Sequence, residues 1–186
     1  QNLEALWEPR SIAVIGASRR PETVGFAIFN NLVSGGFKGI LYPVNPKADE
    51  ICGVPCFRSL SEIPGPVDLA VIVVPNTAVS QVIRECGQKK VGAAAIISAG
   101  FREIGEEGKI LEEEIKKLSQ ELHLPVLGPN CLGLINSDPR ISMNASFSRS
   151  MPRKGNIAFL SQSGALCAAI LDYAKGCGFR ISLLTN

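Results

Sequence analysis

Short runs rich in β-branched and other apolar residues recur along the chain: SIAVIG at 11–16, GILYPV at 39–44, VDLAVIVV at 67–74, VGAAAIIS at 91–98 and a shorter stretch at 125–127. Between most of them, over 24–33, 77–88 and 103–122, apolar residues fall at helical spacing. Strands that are apolar throughout bury both faces, which is the environment of a parallel sheet with helices on each side. The pattern predicts an α/β fold with a doubly wound parallel sheet. The exception is 47–66, rich in Pro, Gly and Cys, which reads as a loop with a short strand and a short helix in place of a full crossover.

At 186 residues the chain can hold one domain with a well-buried core, or one domain and the start of a second. Apolar residues make up 46% and charged residues 19%, the composition of a globular α/β protein and not of a disordered or fibrous one. The formal charge is +2 with scattered cations, so no basic stripe supports a nucleic-acid partner. No apolar stretch reaches membrane-spanning length and the amino terminus lacks a basic-then-apolar signal pattern; a cytoplasmic protein with no membrane partner is expected. The six cysteines form no C-x-x-C pair and the one histidine, His123, is far from most of them. No metal site is expected, and the thiols read as reduced and mostly buried.

The acidic residues of 103–122 are those of a solvated helix. Glu103, Glu106 and Glu107 come early, Lys116 and Lys117 late, and Glu112 to Lys116 and Glu113 to Lys117 have i, i+4 spacing. His123, at the end of this helix, reads as structural.

Four small-residue turns fall where parallel strands would end: 16–20, 74–77 (VPNT), 98–101 (SAGF) and 128–131 (GPNC). The carboxyl edge of an open α/β sheet is where ligands bind, so four such turns describe a cleft for an extended ligand; tight βα connections also favour Gly, Pro and Asn. The first turn, GASRRPETVG, departs from the G-x-G-x-x-G spacing of dinucleotide sites. It still offers backbone N–H groups at a helix start, the Ser18 hydroxyl and the guanidinium groups of Arg19 and Arg20, which suit a phosphorylated ligand. An NAD site would carry an acidic residue after the second strand, where this chain reads LYPVNPK. Lys47 fits a ribose with an extra phosphate, hence NADP or coenzyme A, unless it is simply an exposed lysine.

Beyond LGPNCLGLINSDPR comes a polar stretch, then GNIAFLSQSGALCAAILDYAKGCGF and RISLLTN. A second βαβ unit begins there and the chain ends inside it, which divides the sequence into a domain at 1–136, a linker at 137–154 and a truncated second domain at 155–186. Ser161, Gln162, Ser163 and Gly164 sit between its strand and its helix. They do not form a nucleophile elbow, which needs glycine where Ser161 stands, and both phosphate binding and ordinary helix capping fit them.

In order along the whole chain, SIAVIGAS, YPVNPK, DLAVIVVP, ISAGF, GPNCLG and ISMNASF followed by GNIAFLSQSGAL resemble the nucleoside-diphosphate-forming acyl-CoA synthetases, the superfamily of ADP-forming acetyl-CoA synthetase and of the succinyl-CoA synthetase α subunit. The resemblance implies a Rossmann-like CoA-binding domain followed by the start of a flavodoxin-like α/β domain. It implies coenzyme A contacts on Gly16, Ala17, Ser18 and Arg19, on Lys47 near the 3′-phosphate, on Val74 and Pro75, on Ser98, Ala99, Gly100 and Phe101, and on Asn130. It also implies that Ser161, Gln162, Ser163 and Gly164 hold a phosphoryl group. The first turn is longer here than in the succinyl-CoA synthetase pattern. Family chemistry converts acyl-CoA and phosphate to an acyl phosphate, passes the phosphoryl group to a histidine, and delivers it to ADP or GDP held with magnesium on an ATP-grasp domain or subunit. His123 does not match that histidine, so this chain is expected to bind CoA without turnover, with acetyl-CoA as the expected acyl form. Two other readings are a CoA-binding regulatory module of a protein acetyltransferase and a piece of an NADP-dependent dehydrogenase.

Overall fold

The apolar runs become strands whose alternate side chains enter two different cores. The computed structural model describes residues 3–186. In chain order the elements are α1 (Glu4–Trp7), β1 (Ser11–Ile15), α2 (Val24–Ser34), β2 (Ile40–Val44), β3 (Glu50–Ile51), β4 (Val54–Pro55), β5 (Leu69–Ile72), α3 (Asn76–Lys89), β6 (Ala93–Ile96), α4 (Glu106–Glu121), β7 (Val126–Leu127), β8 (Gly133–Asn136), β9 (Met143–Ser146), β10 (Ile157–Leu160), α5 (Gly164–Cys177) and β11 (Ile181–Thr185). Single 3₁₀ turns lie at Leu60–Glu62 and Arg102–Ile104.

Five strands form a parallel sheet in the order β2-β1-β5-β6-β7. The chain steps outward from β1 to β2 and returns on the other side to β5, so the order reverses between β1 and β5. In open α/β sheets that reversal opens a crevice at the carboxyl ends of the two strands. Ala13, Ile15, Ala70 and Ile72 face the core beneath α3 and α4. Ile12, Val14, Leu69 and Val71 face the opposite core with Ile28, Phe29 and Leu32 of α2. This is the doubly covered parallel sheet that the sequence predicts. The 47–66 segment forms the small β3–β4 hairpin and a 3₁₀ turn, in keeping with its Pro and Gly content.

A second sheet has the order β10-β11-β8-β9, with β10 and β11 parallel around α5 and the other pairs antiparallel. The stretch at 137–154, which reads as a linker, contains β9. Its Met143 and Ala145 are buried against the α2 side of the first sheet, and Asn31 Nδ2 donates to Ser146 O at 2.8 Å while Ser142 Oγ donates to Gly35 O at 2.7 Å. Four residues, two of them polar, are too few to carry a legible period, so this strand is set by its packing.

Helix α4 is solvated as expected, with a different set of ion pairs: Arg102 meets Glu112 at 2.9 Å, Arg84 meets Glu114 at 3.0 Å and Lys117 reaches Glu121 at 3.9 Å. No helix among the described residues is long and apolar enough to cross a membrane.

Candidate functional site

The first turn is built by close backbone approach. Gly16 has φ +93°, in the left-handed region that favours glycine, and a β-carbon there would stand 2.2 Å from Val73 O. The turn therefore lies across the gap between β1 and β5. Thr23 caps α2 by accepting from Phe26 N at 3.3 Å. Ser18 Oγ accepts from Arg20 N at 3.1 Å, which leaves its proton to donate. Arg19 and Arg20 are exposed, Arg20 in a loose pair with Glu22 at 4.0 Å.

Asn45 joins this turn to the lysine predicted from the sequence. Its Nδ2 donates to Ala17 O at 2.7 Å and its Oδ1 accepts from Lys47 N at 2.8 Å. The Lys47 backbone is thereby fixed beside the turn while its side chain stays exposed. The sequence signal for this contact is an Asx turn, in which an Asn side chain accepts from the backbone two residues on.

The next turns brace one another. Buried Ser98 donates through Oγ to Val74 O at 2.5 Å, so its hydroxyl ties β6 to the turn after β5, which carries half-buried Val74 and exposed Pro75. Asn76 Nδ2 donates to Gly100 O and the Glu103 carboxylate accepts from Gly100 N, both at 2.6 Å. Slight burial works to raise the Glu103 pKa, but backbone N–H groups from Gly100 onward outweigh it and hold the carboxyl below its ordinary value. Ala99 is exposed, whereas the Phe101 ring is wholly inside the core, so only its backbone can face a ligand. Asn130 is left-handed at φ +56° and donates through its N–H to Ser98 O at 3.0 Å. Cys131 is buried with Sγ 3.3 Å from Ile96 O, and burial pushes its thiol up to about 12.

The predicted phosphate turn caps its own helix. Ser161 Oγ accepts from Ser163 N at 3.0 Å and Ser163 Oγ accepts from Leu166 N at 3.2 Å, leaving both hydroxyl protons free to donate. What carries this turn to the first sheet is Asn186, a residue the sequence does not advertise. Its Oδ1 accepts from Leu132 N, directly after the 128–131 turn, and a β-carbon on Gly164 would lie 3.2 Å from its Nδ2.

A cavity of ≈ 640 Å³ occupies the junction. It brings together Val74, Ser98, Ala99 and Asn130 of the first sheet with Gln162 and Gly164 of the second unit. Gly16, Ala17, Ser18, Arg19 and Lys47 stand outside its lining, as do Pro75, Gly100, Phe101, Ser161 and Ser163. The first turn reaches the cavity's border through Val74, whose Cγ1 lies 3.2 Å from the position of a Gly16 β-carbon. Val24 and Phe147, which no local sequence signal marks as site residues, join Leu132, Ala165 and Ala168 in the wall. His123 caps the end of α4, with Nδ1 2.8 Å from Gln120 O.

The chain is similar to proteins of known activity. It is 50% identical over 179 residues to the ADP-forming acetate–CoA ligase I of Archaeoglobus fulgidus, covering 95% of this chain and 26% of that protein. It is 46% identical over 169 residues to the α subunit of ADP-forming acetate–CoA ligase II from Pyrococcus furiosus, covering 91% and 36%. Among solved structures, the dinucleotide-forming acetyl-coenzyme A synthetase 1 of Ca. Korarchaeum cryptofilum, in complex with phosphate and ADP, superposes with a TM-score of 0.92 at 43% identity over 98% of this chain and 38% of that one. The chain thus spans between about a quarter and two fifths of the length of these relatives. The family model described as the CoA binding domain matches residues 10–137, and with that match over most of its length the protein belongs to the CoA binding domain family.

Proposed function

We propose that this chain is the CoA-binding portion of an ADP-forming acyl-CoA synthetase, which interconverts acyl-CoA, ADP and phosphate with carboxylate, CoA and ATP. The observation that carries this reading is the Ala17–Asn45–Lys47 linkage, which keeps a cation beside a glycine-built turn at the strand reversal. The backbone N–H groups of residues 16–19 and the start of α2 suit a pyrophosphate, with the Ser18 proton and Arg19 as further donors. Lys47 then meets the ribose 3′-phosphate. The pantetheine arm runs along Val74 and Pro75 and the backbone of residues 98–101 toward Asn130.

In this reading Ser161, Gln162, Ser163 and Gly164 hold the phosphate that attacks the thioester carbonyl. The C–S bond breaks, CoA leaves as its thiolate, and the acyl phosphate remains at the start of α5, where the helix dipole and two hydroxyl protons steady its charge. A histidine on another part of the protein takes the phosphoryl group onward. ADP and magnesium belong to an ATP-grasp domain or subunit, in line with a solved relative that holds phosphate and ADP. The chain by itself binds CoA and does not turn it over. The units of this reading are a CoA-binding part at 1–136, a connection at 137–154 and the beginning of a second domain at 155–186.

Calorimetric titration with CoA, dephospho-CoA and NADP tests it. CoA is expected to bind, dephospho-CoA to bind more weakly, and Lys47→Ala to remove most of that difference. Binding of NADP without CoA would overturn the assignment in favour of a dehydrogenase.

A further inference from the structure

The cavity between the sheets joins the end of the proposed pantetheine path to the proposed phosphate turn. The thioester carbonyl has to sit between these two, so whatever remains of the wall bounds the acyl chain beyond it. Apart from Asn186, whose Oδ1 accepts from Leu132 N, that remainder is apolar and includes Val24 at the start of α2, Leu132, Phe147 just past β9, and Ala165 and Ala168 on α5. No side chain lining the cavity is an acid, a lysine, an arginine or a histidine.

Ala165 and Ala168 are three residues apart, so they share one face of α5, and both are exposed. Methyl groups there leave open space along the helix where larger side chains would fill it. Phe147 is 42% exposed and Val24 also 42% exposed, so each presents apolar surface that can still be covered. A wall of this kind gains from an uncharged chain longer than acetyl, because each buried methylene adds apolar contact. A second carboxylate would be desolvated there with no cation to meet it.

Resting on the CoA-binding reading above, we infer that Ala165 and Ala168 of α5, facing Phe147, form the acyl-chain wall and select uncharged acyl groups larger than acetyl. The helix sets the limit on size, and Phe147 supplies the opposite face.

The test is titration of the chain with CoA, acetyl-CoA, butyryl-CoA, phenylacetyl-CoA and succinyl-CoA, with each acyl affinity read as a ratio to that variant's own affinity for CoA. Butyryl-CoA and phenylacetyl-CoA are expected to bind about tenfold more tightly than CoA, as burial of two or more carbon groups implies. Acetyl-CoA should gain less, and succinyl-CoA should gain nothing. Ala168→Phe should bring the phenylacetyl ratio close to one, and Phe147→Ala should lower it from the opposite side without adding bulk to the helix. Equal ratios for all thioesters, a succinyl ratio matching the butyryl ratio, or ratios unmoved by both variants would overturn the acyl wall while leaving CoA binding intact. Failure of the parent chain to bind CoA at all would instead overturn the reading on which the wall rests, and the wall with it.

Discussion

A β-carbon on Gly25 would stand 2.1 Å from the carbonyl oxygen of Gly16, nine positions earlier. Helix α2 abuts the first turn through bare backbone, the close approach that the last glycine of a dinucleotide fingerprint provides at a shorter spacing. Gly25→Ala should therefore force the helix off the turn and cost about 1–3 kcal/mol, as overpacking does. Gly176, inside α5 with open space around its would-be β-carbon, is the contrast; Gly176→Ala should stabilise by roughly 0.5–1 kcal/mol. Urea unfolding of the two variants beside the parent checks both signs.

Asn45 links the first turn to the Lys47 backbone through two hydrogen bonds. Asn45→Ala should cost about 1 kcal/mol of stability, the net worth of such bonds. In titrations it should also narrow the preference for CoA over dephospho-CoA, since Lys47 would lose its fixed place while keeping its charge. A variant that loses stability but keeps the full preference would show that Asn45 does not position Lys47.

The thiols should separate sharply by reactivity. Burial pushes Cys86 and Cys131 up to about 12, while Cys177 is exposed. The thiolate is the reactive form. At pH 8, iodoacetamide should label Cys177 within minutes and leave Cys86 and Cys131 unmodified until denaturant is added, as peptide mass spectrometry would reveal.

Asp138 fastens the turn after β8. Its carboxylate accepts from Arg140 Nε at 3.0 Å, from the Arg140 backbone N–H at 2.9 Å and from Lys154 Nζ at 3.0 Å. These bonds, the Arg140 side chain first, hold its pKa well below the usual carboxylate range. A depressed folded value means that the unfolded chain takes up the proton first, so the stabilisation is complete above the unfolded value of about 3.9 and fades as pH falls below it. Asp138→Asn should be less stable than the parent at pH 7, with the gap narrowing below about pH 4 and with added salt. Thermal melts across that range would sink the idea if the gap stayed constant.

The turns of the candidate site are legible in residue types, because backbone demands leave marks on composition. Turns at the ends of parallel strands require Gly, Pro and Asn, and those residues mark the first-sheet turns in the sequence. Other parts left no such mark. Ser98 looks like a ligand contact but spends its hydroxyl on Val74 O, and Phe101 belongs to the core. Glu103, one of a run of helix glutamates, turns out to cap Gly100 N. Nothing local distinguishes Ser98 and Phe101, since each depends on which group a distant segment brings near, whereas the Glu103 cap spans only three residues and is hidden by the helical pattern of 103–122.

The sequence by itself determined the doubly wound parallel sheet and the edge on which its turns gather. Those features follow from local periodicity and from the conformational needs of single residues. Tertiary structure alone decided that β9 packs beside α2, that Asn45 ties Lys47 to the first turn, and that Asn186 brings the start of α5 to the first sheet. Each of these joins residues far apart in the chain, and a one-dimensional pattern holds no record of a contact whose two partners are ordinary on their own.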